Sequence, residues 1–295
     1  MRKKYWRRNL IYPYLFILPF IVFFMVFDIW PIFHSLSISF LDMIGLGKAN
    51  FIGLGNYSRL FSDANFYQSL RNTVHYVIGT TLLQIPAALL LALVVNSMVL
   101  KLRSFFRTSA FLPVITSAPA VSIIFTTILD YRYGLFNMLL EKAGLSPVNW
   151  LQDMNLVMWS IILVGVWRFA GYNMIYFLAG LQGIPPELYE AAAIDGAKKW
   201  QLFRYITFPC LRPVLAFVFI THMIGALQVF EIPYLLTQGG PAGASTTINL
   251  YLYQNAFSFF RFGYGCSIAY LLFLIIFIIS LGQMKFFGLF RREVA

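Results

Sequence analysis

MRKKYWRRNLIYPYLFILPFIVFFMVF, residues 1–27, begins with five basic side chains and then runs apolar to about Phe27. The pattern imitates a secretory signal. However, Asp28-Ile29-Trp30-Pro31 follows, with no small-x-small cleavage site. The apolar run is also long enough to cross a bilayer, which takes about 20 residues. The stretch predicts an uncleaved first transmembrane helix, and with it a membrane fold.

Composition agrees. The 295 residues are 60% hydrophobic and 11% charged, whereas a soluble domain carries about 25% charged residues. So few charges cannot cover a water-facing surface. Lipid is the expected solvent, and the fold class is all-α and polytopic. The net charge of +11 raises nucleic acid as a partner. No basic stripe with a soluble domain behind it accompanies that charge. It reads instead as membrane topology, with the lipid bilayer as partner and no nucleic acid.

Six stretches qualify as spans, at about 10–35, 72–100, 105–129, 156–182, 211–237 and 264–289. Pro19, Pro86, Pro113, Pro119 and Pro233 fall inside them. Membrane helices tolerate such prolines where neighbours or hydroxyls satisfy the freed backbone. Fifteen of the 22 Lys and Arg lie before span one, at the turns from two to three and from four to five, and at the end of six and beyond. Positive charge collects on the cytoplasmic side, so both termini are expected there, within one transmembrane domain over 1–295. Cys210 and Cys266 form no CxxC or metal spacing and fall near opposite faces, which excludes a disulfide. Gly239-Gly240-Pro241 marks a loop on the outer side.

Between spans four and five lies PPELYEAAAIDGAKKWQLFRYITFP, residues 185–209. Pro185 and Pro186 suit the first turn of a helix. Glu187 and Glu190 favour its N-terminal dipole end, and the three alanines that follow are strong helix formers. Gly196 predicts a left-handed stop. A second short helix is expected from about Lys199 to Tyr205, halted before Pro209. A helix of about ten residues is marginal alone in water, so it must pack on something. Two readings fit: a short plug whose alanines allow close docking to another surface, or an amphipathic helix resting on the headgroups. The second would favour larger apolar residues and more Lys or Arg.

The residues here resemble a known family. Glu190-Ala191-Ala192, three residues, Gly196, nine residues, then Ile206-x-Phe208-Pro209 is similar to the EAA loop of ABC importer permeases, with Phe208 where Leu is usual. Asp195 before Gly196 resembles the carbohydrate branch. FIGLGNYSRLF (51–61), FFRTSAFLPVITS (105–117) and FEIPYLLTQGGPAGASTTINLYLYQNAF (230–257) are similar to sugar-importer permeases related to the maltose-transport membrane subunits. The resemblance implies that Glu190, Ala191, Ala192, Asp195, Gly196, Ile206 and Pro209 belong to coupling helices that enter a cleft of a separate ATP-binding subunit. It implies a second homologous permease, two ATP-binding subunits carrying ATP and Mg, and an extracytoplasmic solute-binding protein that delivers a sugar or related polyol. The Gly239, Gly240, Pro241 loop would touch that binding protein. The location would be a prokaryotic cell membrane.

What is missing from the sequence fits a chain that is not itself an enzyme. No GxxxxGK[ST] is present, no catalytic residues assemble, and His34, His75 and His222 have no metal-ligand spacing. A lone histidine in a bundle reads as a hydrogen-bonded structural residue. An alternative function is a self-contained secondary transporter or channel, which would show an internal repeat or more intramembrane carboxylates.

Ionisable residues at membrane depth are functional candidates because burying them is costly. Arg168 sits inside span four and Glu231 in the outer half of span five. On one continuous helix, Gln228, Glu231 and Tyr234 would share a face. Trp167, Asn173, Tyr176 and Tyr234 supply the aromatic planes and polar groups that sugars need. The alternative reading is that Arg168 and Glu231 pair with each other.

Overall fold

The computed structural model describes residues 11–45, 47, 49–97 and 100–288. The basic residues at 2–8, Lys48, Arg291 and Arg292 lie outside these, so much of the charge asymmetry does too. Among the described residues the regular structure is almost all helix. α1 (Ile11–Phe24) passes through a π turn (Met25–Ile29) into α2 (Trp30–Ser39). β1 (Leu41–Asp42) pairs antiparallel with β2 (Asn50–Phe51), with Leu41 opposite Phe51. Next come α3 (Gly55–Phe61), α4 (Ala64–Asn96), α5 (Leu100–Ile115), α6 (Ala118–Ile128), α7 (Leu135–Lys142) and α8 (Val157–Gln182). α9 (Pro186–Ile194), α10 (Lys199–Leu202), a π turn (Phe203–Thr207) and α11 (Phe208–Cys210) lead into α12 (Arg212–Leu227). α13 (Glu231–Thr237), α14 (Ile248–Tyr253), a further π turn (Gln254–Ser258) and α15 (Phe262–Phe286) follow.

The all-α membrane fold expected from sequence is what the structure has. Among the described residues, four helices are long and apolar enough to cross a bilayer: Pro13–Ser39, Ala64–Asn96, Val157–Gln182 and Phe262–Phe286. Two bent pairs raise this to six if each is one span: Leu102–Ile115 with Ala118–Ile128 (97°), and Lys199–Cys210 with Arg212–Leu227 (63°). The third expected span, 105–129, is therefore not straight. Ser117 is extended, and Pro119, with no N–H to donate backwards, starts a new helix rather than continuing the old one. The fifth, 211–237, is not continuous either. Its helix ends at Leu227 and resumes at Glu231.

The chain divides into two compact units. One holds the chain up to Asp63 with Leu252–Leu272; the other holds Ala64–Tyr251 with Phe273 onward. In the first, the apolar window of Pro13–Ser39 is wholly unburied, a surface that calls for lipid or another apolar partner. Asn56 Nδ2 donates to the carbonyls of Ser39 (2.9 Å) and Leu41 (2.8 Å), fixing α3 beneath the β1 turn. Tyr264 donates to Asp63 Oδ2 at 2.5 Å.

In the second unit α8 is the central element, with 61% of its apolar window buried. Small residues let its neighbours approach. A Cβ at Gly79 would come within 2.5 Å of Ile162 on α8, and one at Gly180 within 2.7 Å of Val214 on α12. Backbones pack this closely in membranes because lipid gives no hydrophobic push, and dispersion needs proximity. Two apolar clusters result. Tyr76, Ile161, Ile162 and Leu227 sit in one. Ala88, Met174, Phe177 and Val218 sit in the other.

Candidate functional site

A cavity of about 640 Å³ opens among α4, α8, α12 and the break after α12. Helical period builds its walls. On α8, Arg168, Phe169, Tyr172 and Asn173 face it, and on α12 Thr221, His222, Gly225 and Ala226 do so with the same spacing. α4 adds Tyr76 and Gln84, about two turns apart. His222 ties two walls together, its Nε2 lying 3.2 Å from the Thr81 hydroxyl and 3.4 Å from that of Thr80. The histidine is thus hydrogen-bonded, as the sequence led one to expect, and it also lines the cavity.

The break at Gln228-Val229-Phe230 supplies the fourth wall. Pro233 would have no N–H to give the Val229 carbonyl, and its ring would clash there. The freed carbonyls find side chains instead. Thr247 donates its hydroxyl to Val229 O at 2.9 Å, and Asn249 Nδ2 donates to Gln228 O at 2.7 Å. Gln228 and Glu231 both line the cavity, though not as one helix face.

Arg168 Nη1 meets Glu231 Oε2 at 3.0 Å. The arginine side chain is 9% exposed and the glutamate 60%. The guanidinium carbon also lies 5.2 Å from the centroid of Phe169, a cation–π distance. Arg168 Nε and Asn173 Nδ2 are buried without hydrogen-bond partners. Both residues line the cavity.

Four of the seven expected pathway residues come together here: Arg168, Asn173, Gln228 and Glu231. Trp167, Tyr176 and Tyr234 are not on the wall. Trp167 precedes Arg168 by one residue, about 100° around the helix, and meets Phe125 of α6 edge-on at 5.0 Å. Tyr176 bonds the Tyr172 hydroxyl at 2.7 Å and packs on Phe217. Tyr234 stacks on Phe230. The aromatic wall is instead Phe169, Tyr172 and Phe230. The i, i+1, i+4, i+5 spacing from Arg168 was the available signal for Phe169 and Tyr172.

The 185–209 element is a second candidate. α9 ends as the sequence predicts. Gly196 has φ +76°, Gly196 N–H donates to Ala193 O at 3.0 Å, and Ala197 N–H donates to Ala192 O at 2.9 Å. This is the paired closure of a Schellman stop. No residue of α9 is buried. Tyr189 leans inward, its hydroxyl 3.0 Å from Thr207 Oγ1, and packs with Ile206 against a core cluster. Glu190, Ala191, Ala193, Ile194 and Asp195 face outward, with Ile194 88% exposed. Ala192 is half-buried. The second helix does not stop at Tyr205. It widens into a π turn that ends just before Phe208-Pro209 and runs on to Cys210, since Pro209 falls where α11 begins and no N–H is required of it.

The outer loop is tightly bound. Asn72 Nδ2 of α4 donates to Gly243 O (2.8 Å) and Thr246 O (3.0 Å). Gln238 and Gly239 adopt positive φ, and Ser245 donates to Gly240 O at 2.6 Å. Gly239 is buried against Thr246 and Leu250, while Gly240 and Pro241 are half-buried.

Comparison with known proteins agrees with this geometry. The family described as binding-protein-dependent transport system inner membrane component matches residues 84–285. The arabinooligosaccharides transport system permease protein AraP of Bacillus subtilis strain 168 is 40% identical over 283 residues, covering 95% of this chain and 90% of that protein. The crystal structure of a bacterial ABC transporter involved in the import of the acidic polysaccharide alginate contains a chain with TM-score 0.86 and 28% identity, covering 98% of this chain and 99% of that one. A second crystal structure, of a bacterial alginate ABC transporter in complex with an alginate pentasaccharide-bound periplasmic protein, gives TM-score 0.84 at 28% identity, with 96% and 95% covered.

Proposed function

This chain belongs to the family of binding-protein-dependent transport system inner membrane components, and from that premise we propose that its cavity passes the cargo while its 185–209 element receives the drive. The chain is a multi-pass membrane protein, the permease subunit of a sugar ABC importer, and not an enzyme. ATP hydrolysis belongs to a separate subunit.

Four further readings follow from that. Two ATP-binding subunits hold ATP and Mg, and a second homologous permease completes the membrane part. A solute-binding protein delivers the sugar from outside and touches the Gly239-Gly240-Pro241 loop. The whole chain works as one permease domain in a prokaryotic cell membrane, with both termini cytoplasmic. Arg168, Asn173, Gln228 and Glu231, with Phe169, Tyr172 and Phe230, form this chain's wall of the pathway. Polar groups bind sugar hydroxyls there, and rings cover the apolar sugar faces.

The observation that carries the coupling role is α9 itself. It is short, rigidly stopped, tied back through Tyr189 to Thr207, and has no buried residue. Glu190, Ala191, Ala192, Asp195 and Gly196, with Ile206 and Pro209 behind them, then form a joint between an ATP-driven partner and α12. The test is gentle purification of the chain from its native membrane, with mass spectrometry of what stays bound. The expected result is a second permease and an ATP-binding subunit, both lost with Ala192→Pro, which breaks a helix interior. A chain that purifies alone, yet moves solute when reconstituted, would reject the reading. The cargoes named for the relatives include both an arabino-oligosaccharide and acidic alginate. Family membership therefore leaves the charge of the cargo open.

A further inference from the structure

We propose that Glu231 sets this importer's preference for uncharged saccharides, by neutralising Arg168 and presenting a carboxylate to whatever enters. The inference rests on the pathway reading above and goes one step further, to the charge of the cargo.

Among the described residues that line the cavity, Arg168 and Glu231 are the ones with a formal charge, and they pair at 3.0 Å. The wall therefore carries no net charge. The two charges are not equally presented. Arg168 is buried at 9% exposure, under Phe169, while Glu231 is 60% exposed. Of the two charges, the carboxylate is the one presented more openly. The remaining polar groups are the amides of Gln84, Asn173 and Gln228, the hydroxyls of Tyr76, Tyr172 and Thr221, and the His222 imidazole held at Thr80 and Thr81. Such groups suit sugar hydroxyls, which both donate and accept.

A uronate or sugar phosphate needs a cation with spare capacity. Here the charge of Arg168 is already balanced by Glu231, although its Nε–H has no partner, and Glu231 repels a second anion. This is specificity by a built-in repulsive element as well as by attraction. The position of Glu231 makes the device separable from the fold. It sits in the first turn of α13, just past the break, and one carboxylate oxygen makes the contact. Glu231→Gln keeps an oxygen for Arg168 to donate to, removes the negative charge and leaves the arginine's charge uncompensated.

The experiment uses the complete importer, purified in detergent, and two size-matched probes: galactotriose, which is neutral, and trigalacturonate, which carries three carboxylates. Binding to the membrane complex without the solute-binding protein is read by saturation-transfer NMR, so that the delivery protein's own preference does not enter. The wild type is expected to favour galactotriose by about tenfold or more. Glu231→Gln is expected to abolish or invert that ratio. The double variant Arg168→Gln with Glu231→Gln, which restores neutrality, is expected to return the ratio towards the neutral sugar.

Tight trigalacturonate binding by the wild type would overturn the proposal. So would an unchanged ratio in Glu231→Gln while Tyr172→Ala still weakens galactotriose, and in that case the pathway reading survives. If galactotriose fails to bind, or binds equally well to Tyr172→Ala and the wild type, the pathway reading falls and this inference falls with it.

Discussion

Gly171→Ala adds one methyl group where α8 meets α5, and the structure gives the sign of the effect. A Cβ placed at 171 would lie 1.7 Å from the carbonyl oxygen of Ala110 and 3.3 Å from its Cα. Ordinary carbon–oxygen contacts need about 3.3 Å, so the helices must part by about 1.6 Å. The obstacle is backbone, so no rotamer change relieves it. Two terms oppose each other. Alanine is a better helix former than glycine by about 0.8–1 kcal/mol. Overpacking a filled interface costs about 1–3 kcal/mol, and a gap opened along α5 forfeits dispersion beside it. Against backbone the cost lies at the upper end of its range, so the contact wins and a net loss of about 2 kcal/mol is expected.

The assay is thermal unfolding of the purified complex, followed by tryptophan fluorescence, with sugar uptake measured alongside. Uptake should fall as well, because Arg168, Tyr172 and Asn173 flank Gly171 and line the cavity. Gly282→Ala is the control. It too is helical, but nothing lies within 4 Å of its added Cβ. It should leave stability unchanged or raise it slightly, by less than about 1 kcal/mol. A Gly171→Ala protein as stable as the wild type would refute the close approach of α5 and α8.

Three other outcomes are expected. Gly196→Asp meets open space inside the chain, so its direct effect is left-handed strain of about 1–2 kcal/mol. ATPase coupling in the reconstituted importer should nonetheless fall, and normal coupled uptake would sink the docking role of α9. Asn72→Ala removes two side-chain bonds to the outer loop, worth about 1 kcal/mol each, so hydrogen exchange at residues 239–246 should quicken; unaltered exchange would count against the clamp. Glu231→Ala leaves Arg168 buried without its carboxylate, so it should unfold at a lower temperature than Glu231→Gln, and equal melting would show that the contact contributes no stability.

What residues 1–27 and their counterparts settled alone was the class of fold: apolar runs of bilayer length, and a helical chain in lipid. Local chemistry was equally legible. The three alanines after Glu190 form a helix, and Gly196 ends it in the left-handed conformation, because both depend on backbone energies within a few residues. The spacing from Glu190 to Pro209 likewise marked the element proposed as the joint.

Side-chain directions were not legible. Trp167 and Arg168 are adjacent in sequence but face different neighbours, and only the packing of α4, α6 and α12 around α8 says which side is the cavity. Tyr176 and Tyr234 had the chemistry of the site but belonged to other contacts. The break at 228–230 shows the reason most clearly. Pro233 discourages a continuous helix, yet proline is carried inside α4 at Pro86 without a break. The difference lies with Thr247 and Asn249, about 20 residues on, which donate hydrogen bonds to the freed carbonyls. A chain in lipid must satisfy every backbone group. Whether a proline bends the helix or breaks it depends on which distant side chains reach it, and that is decided by the tertiary structure.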